Sequence, residues 1–474
     1  MTSVVGRRAL LATGGGLLLH PRRASAAPSD AAWRALAVAG DVLRPGMDGF
    51  AAAARPQNLR YADVVPQAVL RCASPEGLAF ALRWAREQAM PFVLRSGGHS
   101  YAGASTTTGL LIDLRRLDAV SLGADGLVRA GGGTLNATVY DALRARGQSL
   151  THGRCLGVGA SAFLMGGGIG FAMRDRGMGC DAVVAADILL ADGSIRRASA
   201  SDDAELFWAV RGGGGGTLGA AVGWTLRPVA AEPMTWFRLR WADRPEEVLW
   251  RLVQALEGAP ERMGSKLSLI AGPRPEVALL GQLRGTAREV ADILDPVGPP
   301  ARREVVETTY WAAQDALSEA GAPNHYQETS HFAGRMPQAL VEAAMRCCID
   351  WPGTGGEADF KMFHVGGRIR DVAAGATAYV HREAEWIIGT ELTWKAQDAG
   401  PRLDRALAWQ RNFHETITRL GGGPGGSFQN FPDPGLAAPA QAYYGANLPR
   451  LAALKRRLDP DNIFAPPRGQ GITG

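Results

Sequence analysis

The sequence contains no C-x-x-C pair, so it offers no structural zinc site of the thiolate type. Its five cysteines, Cys72, Cys155, Cys180, Cys347 and Cys348, are an odd number and do not make a disulfide framework. Cys347 and Cys348 are adjacent and cannot join each other without strain. No internal repeat is visible, and after residue 26 no apolar stretch is long enough to span a bilayer. Charge of one sign is scarce as well. Of the formal +5, Arg7, Arg8, Arg22 and Arg23 supply four, in a stretch without acids. The nearly neutral remainder lacks the basic footprint that nucleic acid requires.

What is present is length and glycine. The 474 residues suffice for two or three domains with full cores, and the 61 glycines are clustered. Clustered glycine marks places where backbone turns sharply or approaches a ligand. At the N-terminus, Arg7-Arg8 precede an apolar stretch from Ala9 to Leu19 interrupted by Gly14, Gly15 and Gly16. Ala24-Ser25-Ala26 then supplies small residues for cleavage. Residues 1–26 are expected to be a signal peptide of the twin-arginine type, which exports folded proteins and leaves no stable membrane anchor.

Ala68 to Arg71 reads as a strand, and Ser74-Pro75 opens a helix through Trp84 with serine as cap and proline at the first turn. Phe92 to Arg95 is a second strand, ending in the turn Ser96-Gly97-Gly98-His99-Ser100. Leu110 to Leu114, Leu127 to Ala130 and Ala185 to Leu190 continue the strand pattern. From about Val229 to Leu420 strands alternate with amphipathic helices, and eight of the twelve tryptophans fall between Trp236 and Trp409.

Two segments carry chemistry. Arg95 to Gly103 forms a glycine turn whose successive N–H groups suit an anion such as pyrophosphate, although it is not G-x-G-x-x-G. Taken alone, His99 reads as an ordinary loop histidine. The second segment is Gly153-Arg154-Cys155-Leu156-Gly157-Val158-Gly159, followed by Gly166 to Gly170. Taken alone, Cys155 reads as a buried inert thiol.

Together these segments resemble the FAD-binding domain of the vanillyl-alcohol oxidase and p-cresol methylhydroxylase superfamily, in its berberine bridge enzyme-like branch. Leu206-Phe207-Trp208-Ala209-Val210 with Arg211 and the glycines after it is similar to a further run of that family. Tyr443 to Asn447, Arg450-Leu451, Lys455, Asp459-Pro460 and Phe464 are similar to its C-terminal signature. The resemblance implies an α+β protein: a two-subdomain PCMH-type FAD-binding domain at 27–228, and a substrate domain with an antiparallel sheet flanked by helices at 229–430. A C-terminal segment, 431–474, would return to the first. It implies FAD bound covalently, through His99 at the 8α carbon and Cys155 at C6. Arg95, Ser96, Gly97, Gly98 and Ser100 would cradle the pyrophosphate. Gly157, Val158, Gly159, Gly166, Gly167, Gly219, Val222, Tyr444 and Asn447 would lie near the cofactor. No metal is implied.

The sequence departs from the family pattern where the base is expected. Phe428-Gln429-Asn430 has phenylalanine where the family commonly has tyrosine, and Phe163 stands where a histidine is usual. A base must therefore come from Tyr101, Lys361, His364, Glu391 or Tyr444. In the strand around them, Lys361 and Phe363 share one face, and Met362 and His364 the other. Gly153, two residues before Cys155, occupies the family's oxygen-access position, and its small size favours an oxidase releasing hydrogen peroxide. The expected reaction is hydride transfer from a substrate hydroxyl to flavin N5, with dioxygen as acceptor. A sugar or a glycosylated natural product is the expected substrate, Trp351, Trp386 and Trp394 offering faces for pyranose rings. A dehydrogenase, a tailoring oxidase and a flavin-retaining binding protein are the alternatives. Oligomeric state is not indicated.

Overall fold

The computed structural model describes residues 28–319, 321–465 and 471–472. The expected signal peptide lies outside the described residues. The chain is α+β, built on three main sheets.

The first sheet orders its strands Gly40–Leu43, Ala68–Cys72, Leu110–Asp113 and Phe92–Arg95, the last three parallel. Ser74 Oγ accepts the Gly77 amide at 3.0 Å and Pro75 starts the helix Pro75–Glu87, as the sequence predicts. That helix buries Leu78, Leu82, Trp84 and Ala85 against the sheet. The strand Phe92–Arg95 thus emerges from a packed crossover and delivers the glycine turn at a fixed place.

The second sheet is antiparallel, in the order Val120–Leu122, Val128–Gly131, Ala220–Leu226, Val183–Leu189 and Ile195–Ser199. Its core takes in Trp208, Trp224 and the tail: Tyr443, Tyr444, Leu451, Leu454 and Leu458 pack into the same cluster. Lys455, wholly buried, donates to the Thr217 carbonyl and to Asp459, both at 2.6 Å, so its charge is matched inside the core.

The third sheet spans Met234 to Trp394 and is antiparallel throughout. Helices Pro245–Glu257, Gln338–Ile349 and Pro401–Leu420 bury their apolar stripes on one face. In the strand Ala358–His364, Phe360 and Met362 point into that core, while Asp359, Lys361 and Phe363 point the other way. The faces expected for Lys361 and Met362 are those observed.

Buried arginines join the third sheet to the rest. Arg382, fully buried, makes a two-pronged pair with Asp181 at 2.7 and 2.8 Å. Arg174 donates to the carbonyls of Ala259, Met263 and Val365. Among the described residues, no helix is long and apolar enough to cross a membrane.

Candidate active site

The two glycine segments meet backbone to backbone. A Cβ on Gly97 would collide with the Gly157 carbonyl, and one on Gly159 with Ser96. Only glycine permits this approach. The contact carries His99 over Gly157, where a Cβ would sit 2.9 Å from Nε2. That Nε2 is buried and has no hydrogen-bond partner among the described residues. Burial lowers the pKa of the imidazole, so it is held neutral and nucleophilic. Cys155 lines the same space from the second segment.

These turns form one wall of a cavity of about 720 Å³. Gly214, Gly215 and Gly216 extend that wall, and Lys266, Asp359, Lys361, Phe363 and Glu391 of the third sheet face it. Phe428 and Phe431 close one side. A long cavity walled by glycine backbone, with an unpartnered imidazole nitrogen and a thiol in one place, fits an extended dinucleotide cofactor held by covalent bonds.

The opposite wall is charged. Lys361 lies between Glu328, at 3.2 Å, and Glu391. Burial works against the lysine's charge, but Glu328, Glu391 and Asp359 together hold it well above its ordinary value. Burial also opposes ionisation of Glu391, and Lys361 outweighs it, keeping the carboxyl ionised down to about 2. Glu328, enclosed and sharing that one cation, goes the other way and is raised to about 8. Tyr101 stacks edge-on to Tyr326 and Phe431, and burial, then Glu328 and Glu391, push its phenol far up.

Most expected site residues line the cavity: Ser96, Gly97, Gly98, His99, Ser100, Tyr101, Gly153, Cys155, Val158, Gly159, Gly219, Lys361, Glu391 and Tyr444. Gly157 supports His99 from beneath. Several expectations need correction. His364 is buried on the far face of its strand, bonded to Arg174 and Glu385, and does not reach the cavity. Arg95 touches the cavity, but its guanidinium is spent on the carbonyls of Ala53, Ala54, Arg55 and Ser105. It braces the turn instead of meeting a phosphate. Gly166 and Gly167 make room for Asn430 and Tyr379, not for a ligand. Val222 lies in the core of the first sheet, and Asn447 caps the carbonyls of Ala374, Thr377 and Ala378. The tryptophans expected to stack on sugars are elsewhere. Trp351 packs on Trp409, Trp386 bonds Glu257, and Trp394 lies against His325.

Sequence reasoning missed Tyr326, Glu328, Asp359 and Glu319. Tyr326 and Glu328 occupy alternate positions of the four-residue strand His325–Glu328, too short to show a pattern. Asp359 shares the Lys361 face, and the same alternation could have found it. Glu319 lies in a loop, with no signal of its own.

Fold and site define a flavin-binding oxidoreductase. The FAD binding domain family matches residues 66–199, and the berberine and berberine-like family matches residues 427–469. The chain is 28% identical over 417 residues to the uncharacterized FAD-linked oxidoreductase YgaK of Bacillus subtilis, covering 85% of this chain and 90% of that one. It is 27% identical over 447 residues to the glucooligosaccharide oxidase of Sarocladium strictum, covering 86% and 87%. Among solved structures it shares the fold of a chitooligosaccharide oxidase, with TM-score 0.84 and 20% identity over 94% of this chain and all of that one. It also shares that of the Acremonium strictum glucooligosaccharide oxidase, which carries 6-S-cysteinyl, 8α-N1-histidyl FAD, with TM-score 0.83 and 23% identity over 94% and 99%. Residues 66–199 and 427–469 thus carry an FAD binding domain and a berberine-like segment, and the full-length relatives named here are FAD-linked oxidoreductases.

Proposed function

We propose that the protein is an oxidase with FAD attached to both His99 and Cys155, and that it oxidises a hydroxyl of a sugar or oligosaccharide with dioxygen as acceptor. The observation that carries this is the meeting of an unpartnered His99 Nε2 and the Cys155 thiol on the glycine wall, opposite a charged wall. Bound there, FAD would supply a two-electron acceptor, electrophilic at the carbons where imidazole and thiolate attach. Gly153 lines the cavity without a side chain of its own, and that small size supports the oxidase reading over a dehydrogenase.

Among the candidates offered by the sequence, elimination leaves one base. Phe428 carries no proton to exchange, and His364 faces away. Tyr101 and Tyr444 are held as phenols by burial, so they donate hydrogen bonds and do not accept the hydroxyl proton. Lys361 remains an ammonium. Glu391, kept ionised by Lys361, is left to take the proton. Asp359 Oδ1 is buried without a partner among the described residues and suits a second substrate hydroxyl. The names of the sugar-oxidising relatives support the substrate class.

The test is a panel of oligosaccharides and glycosylated metabolites, followed by peroxide release and by anaerobic bleaching of the yellow protein. Wild type is expected to bleach and release peroxide with at least one sugar. Glu391→Gln should bind flavin equally but lower kcat by roughly 10²–10⁴. A protein that no member of the panel bleaches would refute the oxidase reading.

A further inference from the structure

A strap leaving the helix Tyr310–Leu317 passes over the Cys155 turn. The Glu319 amide donates to the Arg154 carbonyl at 3.0 Å, and the Leu156 amide donates to the Glu319 carbonyl at 3.4 Å. The Arg154 guanidinium donates to the Leu317 carbonyl at 2.9 Å and pairs with Glu319 Oε1. The other carboxylate oxygen, Oε2, lies 3.6 Å from Cys155 Sγ and accepts from the thiol. Further along, Gly321 faces the His99 ring, and the strap is tied to Gln57 and Leu59 through the Asn324 backbone. One segment therefore overlies both proposed attachment points.

The thiol cannot ionise unaided. Burial, then the Glu319 charge, push Cys155 up to about 11, and Arg154 and Lys361 only partly offset them. The phenols of Tyr101, Tyr140 and Tyr326, which also feel Cys155, are kept protonated by burial, and burial likewise holds His99 neutral. Only the thiolate is a nucleophile, so attachment at neutral pH needs a base in contact with sulfur.

We propose that Glu319 is that base: its Oε2 takes the Cys155 proton when the chain attaches its own flavin, with Arg154 as the positioning residue. The inference rests on the covalent reading above. The Sγ–H bond and one ring C–H bond break, and one Sγ–C bond forms. The two electrons released pass to dioxygen, which takes two protons from solvent and becomes hydrogen peroxide; the two protons released go to solvent, the first of them by way of Glu319. The carboxylate is half exposed, so that proton can leave to solvent.

The experiment isolates the sulfur bond in a His99→Ala background. Apoprotein from riboflavin-starved cells is mixed aerobically with FAD, and the flavin that stays with acid-precipitated protein is followed over time. Flavin fluorescence before precipitation reports binding that is not covalent. At pH 7, adding Glu319→Ala should slow attachment at least tenfold without preventing binding. Formate in the buffer, or pH near 10, should restore most of the rate, since either replaces the missing base. Attachment as fast as in His99→Ala alone would overturn the proposal. So would a slowing that neither formate nor high pH relieves, which is what a purely mechanical strap gives. Should binding itself fail in Glu319→Ala, Glu319→Gln keeps the clasp to Arg154 without a base and must show the same pattern. If wild type and His99→Ala both shed all flavin in acid, the covalent reading has failed instead.

Discussion

Lys361 is one cation set between two enclosed carboxylates, and one cation neutralises only one of them. The ionised partner is Glu391, while Glu328 is raised to about 8 from an ordinary 4.5. A carboxyl raised in the folded state binds its proton more tightly folded than unfolded. Its contribution to stability is therefore complete below about 4.5 and is lost as pH climbs through about 8. The loss runs at up to about 1.4 kcal/mol per pH unit within that window. Thermal melts of wild type at pH 5.5 and 8.5 should show a fall that Glu328→Gln largely abolishes. Equal slopes for the two proteins would assign the titration elsewhere. At this scale the sequence told half the story. The period of two set Lys361 on one strand face and the family resemblance offered Glu391, but Glu328 reaches Lys361 only through pairing of strands far apart in the chain. Nothing local announces such a neighbour.

The paired glycine turns are the element on which cofactor geometry depends. Gly97 meets residues 157–159 backbone to backbone, while the Ser96 and His99 side chains lie against Gly159 and Gly157. Gly159→Ala would drive a methyl into Ser96 and spread the turns. We expect about 1–3 kcal/mol of lost stability and a clear fall in acid-stable flavin, read by thermal melting and by absorbance of the precipitate. An alanine variant with unchanged flavin would show that the turns can separate freely. Both turns were legible because glycine clusters and a capped helix beside two apolar strands are local signals. Gly166 and Gly167 looked identical in sequence and serve instead to admit Asn430 and Tyr379. A run of glycine says that something comes close, and the tertiary fold alone says what.

Across the whole molecule, cohesion between the third sheet and the rest runs through buried arginine. Arg382 and Asp181 lie 201 residues apart in the chain, and both prongs of the guanidinium are engaged. Arg382→Ala leaves that carboxylate enclosed without its cation and should cost about 3–5 kcal/mol, measured as a lower urea midpoint. A midpoint close to wild type would mean that water reaches Asp181. The alternation of strands and helices after residue 229 was readable, whereas the choice of Arg174 and Arg382 among so many arginines was not, because an arginine's burial depends on its partners.

The tail has a last consequence, for when the holoenzyme can come into being. Tyr443 and Tyr444 belong both to the second sheet's core and to the lining of the chamber, and Phe464 belongs to the first sheet's core. Until residues 443–464 have been made and have left the ribosome, this closing layer is absent. Flavin uptake is therefore expected to follow synthesis of that segment, and a chain truncated before Tyr443 should purify pale, by its absorbance, although His99 and Cys155 are present.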